Sequence, residues 1–115
     1  MLTIDCLRAY GANVDEGLGR CFNNEASYLR LVGMGLADKN FDRLTEAFEK
    51  GDAKEGFEAC HALKGSMGNL SLTPIYEPVC ELTEKLRGAT EMGDVSELYH
   101  RIIDAADALK KLAEQ

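Results

Sequence analysis

Apolar side chains along this chain recur at steps of three and four residues, and nowhere do they alternate strictly with polar ones. Phe57, Cys60, Leu63, Met67 and Leu70 make one such stripe. Leu72, Ile75, Val79, Leu82 and Leu86 make a second, and Leu98, Ile102, Ala105, Leu109 and Leu112 a third. Residues so spaced share one face of an α-helix, so each segment must bury that face against another helix. With 115 residues there is room for one core and one domain, residues 1–115. Each buried large aliphatic side chain contributes about 1.5–3 kcal/mol before chain entropy is subtracted. That is adequate for a small bundle.

The punctuation between stripes places the helices. Asn13 with Glu16, Asp52 with Glu55, and Asp94 with Glu97 each set a short polar acceptor three residues before a carboxylate, a capping-box-like start. Thr73-Pro74 gives another start, because proline at the first helical position loses no needed donor. Pro78 removes one backbone bond and loosens the next turn. Short helices are expected over about 3–22, and bundle helices over about 25–50 (with a break near 37–40), 53–69, 74–87 and 95–113. The links at 50–52 and 88–94 both end in Gly-Asp. Short connections make consecutive long helices antiparallel. The expected fold is all-α: an antiparallel, up-down-up-down four-helix bundle with short additional N-terminal helices covering one end. The start at Met1 and the polar end "LKKLAEQ" read as a whole chain.

Composition excludes several functions. A formal net charge of −7 is wrong for general nucleic-acid binding, which neutralises phosphates with a basic surface. No apolar run approaches the ~20 residues that cross a bilayer. The start "MLTIDCLRAYG" lacks the basic and long apolar parts of a signal peptide. Cys6, Cys21, Cys60 and Cys80 are far apart, form no CxxC pair and fall in apolar slots, so reduced and mostly buried thiols are expected. These features fit a soluble, cytoplasmic, monomeric protein. Two separated histidines and scattered cysteines offer no metal cluster, and no pair of carboxylates stands out as acid and base.

The stretch "HALKGSMGNL" at 61–70 is different. The stripe His61, Lys64, Gly65, Gly68 lies roughly 120° around the helix from the core stripe, so the imidazole points outward. Lys64 and Gly65 neighbour it on the helix surface. Two glycines on an exposed face cost about 2 kcal/mol relative to alanine. Close approach by another macromolecule is the simplest reason for them. An exposed imidazole offers a nucleophilic nitrogen at neutral pH, and Lys64 can stabilise an oxyanion or phosphoryl group beside it. A solvated histidine with an ordinary surface lysine accounts for the spacing equally well. Ser66 either bonds near the site or back-bonds to its own helix. His100, beside Tyr99, reads as structural or solvated.

"HALKGSMGNL" resembles the signature of histidine phosphotransfer (HPt) domains, written H-x-L-K-G before small residues and a helix end. The approach "AFEKGDAKEGFEACHALKG" and the following "LTEKLRGATEMGD" are similar to the family's central hairpin and its link to the last helix. The resemblance covers about residues 14–113. It implies that His61 accepts a phosphoryl group and exchanges it with aspartates of receiver domains of response regulators in a two-component phosphorelay. It implies that Lys64 counters phosphoryl charge and that Gly65 gives clearance to the partner. A hybrid sensor histidine kinase is a further implied partner. Mg²⁺ is expected in the receiver only, with no cofactor here and no kinase activity of the chain's own. The apolar surface flanking the histidine is implied as the docking face.

Two positions depart from the family pattern. Ser71 stands ten residues after the histidine, where glycine is usual, leaving Asn69 to supply the left-handed turn. Thr83 matches a position that often carries Gln or Glu facing the imidazole. Arg87, one turn on, matches a position that is basic in some members and joins Lys64 around the phosphoryl group. The competing reading is a non-catalytic helical protein-binding module that keeps the docking face and relays no phosphate. Intact His61, Lys64 and Gly65 argue against it.

Overall fold

A computed structural model describes all residues 1–115. It is all-helical, with α1 Ile4–Tyr10, α2 Val14–Arg20, α3 Glu25–Leu36, α4 Asn40–Lys50, α5 Ala53–Asn69, α6 Thr73–Leu86 and α7 Ser96–Glu114. α5 packs along α6 and α4, and α6 along α7. α7 closes the bundle on α4: the Phe48 and Tyr99 rings stack at 4.1 Å, and the Tyr99 hydroxyl donates to Thr45 Oγ1 at 2.8 Å. The four helices α4–α7 run up, down, up, down. Leu63, Met67, Ile75, Val79, Leu82, Ile102 and Leu109 fill the space between them and are fully or almost fully buried.

The capping expectations hold at two places and fail at two. Asn13 and Asp52 accept from the backbone of Glu16 and Glu55 and start α2 and α5, and Asn24 likewise accepts from Ser27 and starts α3. Before α5, Gly51 turns left-handed at φ +70°, a conformation that glycine adopts without penalty, so α4 stops and α5 starts within two residues. Asp94 does not cap α7; the cap position falls to Val95, whose side chain is buried in the core and has no acceptor to offer. Thr73 does not cap α6 either. It is the first helical residue, with Pro74 behind it in the first turn, and α6 runs unbroken through the buried Pro78 to Leu86. Residues 25–50 form two helices, α3 and α4, parted at Ala37–Lys39. Asp38 holds that joint by accepting from the Asn40 backbone at 2.8 Å and from Ser66 Oγ of α5 at 3.2 Å.

The three N-terminal helices gather around the α5–α6 turn. The Tyr10 hydroxyl donates to the Ala105 carbonyl at 2.6 Å, fixing α1 to α7. The Tyr28 hydroxyl of α3 donates to the Leu70 carbonyl at 2.7 Å, and its ring lies over Gly17 of α2, where no side chain would fit. All four cysteines are reduced; only Cys60 is fully buried and the others are half-buried, so the thiols are less buried than the apolar slots suggest. No helix is long and apolar enough to cross a membrane.

Candidate functional site

α5 carries the outward stripe. His61 is exposed, Lys64 is half-buried along its stem, and Gly65 is exposed with nothing within 4 Å of where a Cβ would stand. Together with Gly68 they form one wall of an open depression of about 650 Å³. α2 supplies Glu16 and Arg20 to its rim, and α6 supplies Tyr76 and Glu77. The depression is open, polar and mixed in charge.

Two of the glycines serve different neighbours. Beside Gly65 the space is empty. At Gly68 a Cβ would stand 2.9 Å from Tyr76 Cε1, so this glycine lets the α6 tyrosine lie flat on the α5 backbone. Open space is therefore found at Gly65, and internal packing at Gly68. The neighbouring Cys80 thiol raises the Tyr76 phenol above its ordinary value.

The end of α5 is built by α2. After the cap residue Leu70, the backbone N–H groups of Ser71 and Leu72 return to the carbonyls of Gly68 and Met67, both at 3.1 Å, in the Schellman arrangement. Ser71, at φ 57°, takes the left-handed position; Asn69, expected there from the sequence, is the last helical residue. Serine bears this strain because its hydroxyl is held twice. It donates to Glu16 Oε1 at 2.9 Å and accepts from Arg20 Nη1 at 2.8 Å. Arg20 also donates to the carbonyls of Gly68 at 2.9 Å and Asn69 at 3.2 Å. A cation at the carbonyl end of the helix satisfies orphan acceptors and opposes the helix dipole.

Three expected site residues stand apart from the depression. Thr83 is fully buried beside the Cys60 thiol, and its hydroxyl donates to the Val79 carbonyl of its own helix at 2.7 Å. It faces the core rather than the imidazole, because position 83 falls on the inner side of α6 with Val79 and Leu82. Burial beside it pushes the Cys60 thiol up to about 12. Ser66 lies around the helix from His61, bonded to Asp38 and back-bonded to Leu63 at 3.3 Å. Arg87 leaves α6 at its end and pairs with Glu84 at 3.0 Å, which holds the Glu84 carboxyl below its usual range. Its guanidinium lies 5.2 Å from the centre of the Phe57 ring, and the other partner of that ring is His61 at 5.7 Å. Phe57, read from spacing as a core residue, thus stands half-buried, in contact with both Arg87 and the imidazole. His100 is structural: Nδ1 meets the Ser96 carbonyl at 2.8 Å and the ring packs edge-on against Phe48 and Tyr99.

The sequence reading missed Arg20, Glu16 and Tyr76. Arg20 and Glu16 lie far upstream of His61 in the chain, and no spacing rule links them to it. Tyr76 had a weak signal, since a glycine on a neighbouring helix invites an aromatic ring.

Comparison with protein families finds one match, the Hpt domain, over residues 35–114. The match begins at the end of α3, so α1, α2 and most of α3 lie outside it, and it is shorter than the resemblance over 14–113. No curated protein matches, and no solved structure does. The match takes in the whole α4–α7 bundle and the histidine stripe, and the chain belongs to the Hpt domain family, whose members carry phosphoryl groups on histidine in phosphorelays.

Proposed function

We propose that His61 is the phosphoacceptor of this chain and exchanges its phosphoryl group with the aspartate of a response-regulator receiver domain. The observation that carries this reading is the placement of His61: exposed on the outer face of α5, one turn from Lys64, with open space over Gly65. A neutral imidazole has a lone pair on one ring nitrogen and a proton on the other. Attack by that lone pair on the phosphorus of an aspartyl phosphate forms an N–P bond and breaks the acyl O–P bond. The electron pair returns to the partner's carboxylate, and the far ring nitrogen keeps its proton. Lys64 balances the added negative charge. Gly65 lets the receiver's loops approach within bonding distance. The reverse step discharges the histidine onto another receiver.

On this reading the chain is a carrier with no kinase activity of its own. Mg²⁺ belongs to the receiver, and a hybrid sensor kinase and its downstream receivers visit a cytoplasmic monomer in turn. The test is transfer of radiolabel from a phosphorylated cognate receiver to the protein and to its His61→Ala variant. Acid-labile, base-stable label in the parent and none in the variant is the expected result. A folded parent that takes no label from any receiver or kinase of its cell refutes the proposal and leaves a binding module.

A further inference from the structure

The imidazole of a phosphocarrier has to present one nitrogen along the line of transfer, and something must hold the ring in that attitude. Polar groups do not do it here. The side-chain hydrogen bonds around α5 are made by Asp52, Glu55 and Ser66, and the Thr83 hydroxyl is spent on the Val79 carbonyl. The contact the ring does have is aromatic. Phe57, one turn before His61 on the same helix, lies 5.7 Å from it, centre to centre, with the planes 18° apart. The Arg87 guanidinium also lies over the Phe57 ring, 5.2 Å from its centre, itself fixed by two hydrogen bonds to Glu84 at 3.0 and 3.3 Å. The phenyl ring thus contacts both the guanidinium and the imidazole.

The geometry points to Phe57 as the positioning residue for phosphotransfer through His61, with Arg87 clamping Phe57 rather than touching the phosphoryl group. This rests on the reading of His61 as phosphoacceptor. Stacking leaves both ring nitrogens at the edge of the stack, free for attack and for solvent, while restricting rotation about the side-chain bonds. An aromatic pair of this kind favours the held arrangement by a factor of about 2–12. The electron-rich face of Phe57 is drawn to the guanidinium, so Arg87 resists outward swing of the ring. Thr83 has left the imidazole without a polar anchor, and the i−4 aromatic takes that task.

The experiment compares the parent with Phe57→Leu, Phe57→Tyr, Arg87→Ala and the Phe57→Leu/Arg87→Ala double variant. Circular dichroism checks the fold, and the readouts are transfer rate from a phosphorylated receiver, the Kd for the unphosphorylated receiver, and the His61 ring proton shifts. Phe57→Leu is expected to slow transfer by about 2–12-fold with Kd unchanged, and to move the His61 ring protons downfield by loss of the ring current. Phe57→Tyr restores both. Arg87→Ala slows transfer in the parent and adds nothing in the Phe57→Leu background. Parent-like transfer in Phe57→Leu overturns the proposal while leaving His61 as phosphoacceptor. A matching loss in Kd makes Phe57 a docking contact and also overturns it. Unmoved ring protons remove the stack itself, and a parent that takes no label removes the underlying reading.

Discussion

Gly65 separates stability from function more sharply than any other position. It is an exposed residue inside a helix, and an alanine Cβ there meets nothing within 4 Å. Helix propensity alone therefore governs the folding effect of Gly65→Ala, a gain of about 0.8–1 kcal/mol. For a domain of this size that raises Tm by about 3–6 °C. Gly68→Ala is the internal control. It brings the same propensity gain, but its Cβ stands 2.9 and 3.3 Å from two Tyr76 ring carbons, so the ring must leave the α5 backbone. The lost packing offsets the gain, and the net change falls near zero or below. The assay is thermal denaturation of the three proteins beside phosphotransfer from a receiver. Gly65→Ala is expected to be the most stable and among the slowest to accept label, because the added methyl stands where the partner's backbone must pass. A lowered Tm for Gly65→Ala would refute the open face. A raised Tm with unchanged transfer would refute clearance as the reason for glycine.

Other outcomes follow from particular contacts. Thr83→Val removes a hydroxyl that bonds its own helix and neighbours the buried Cys60 thiol, away from the imidazole, so the transfer rate stays within about two-fold of the parent and stability changes by under about 1 kcal/mol. A larger rate loss, read in the same labelling assay, would return Thr83 to the imidazole. Acid stability depends on Asp15, Glu55 and Glu84, held low chiefly by hydrogen bonds from Arg8, Arg43 and Arg87. A depressed carboxyl stabilises above its unfolded value near about 4 and loses that contribution as pH falls through the folded one. Urea midpoints should be level at pH 6–7 and decline below about pH 4, shallowly because these pairs are exposed, and an Arg43→Gln variant should flatten the decline. At the alkaline end the sign is reversed. The Cys60 thiol, pushed up to about 12 by burial, favours the fold below the unfolded value near about 8.5, and that contribution is lost as pH rises between the two. Cys60→Val should show a flatter alkaline limb in the same titration.

Much of this protein was legible in its sequence, for local reasons. Periodicity of three and four residues selects helices without reference to anything distant, and Gly51-Asp52 ends one helix and starts the next within two residues. The outward turn of His61, Lys64 and Gly65 is arithmetic on a single helix, so the sequence sufficed to place that stripe outside the core. Where a local rule met a competing burial it lost. Asp94 offered a cap, but Val95 belonged in the core and the helix began after it. Thr83 looked available to the imidazole by the family resemblance, yet its side of α6 carries Val79 and Leu82 inward. Phe57 counted as core by spacing, but it sits at the edge of the stripe, where half-burial leaves it free to stack on His61.

The tertiary structure alone decided how the histidine stripe is framed. Arg20 and Ser71 meet across about fifty residues of chain because α2 folds back over the α5–α6 turn, and their bond is 2.8 Å long. A left-handed serine is strained by itself; Arg20 and Glu16 make it tolerable, and neither lies near it in sequence. Gly65 and Gly68 are the same residue on the same helix face, and only the position of Tyr76 tells the open one from the filled one. A sequence specifies which face a helix presents, because that follows from the backbone's own repeat. What comes to stand on that face depends on the packing of segments far apart in the chain.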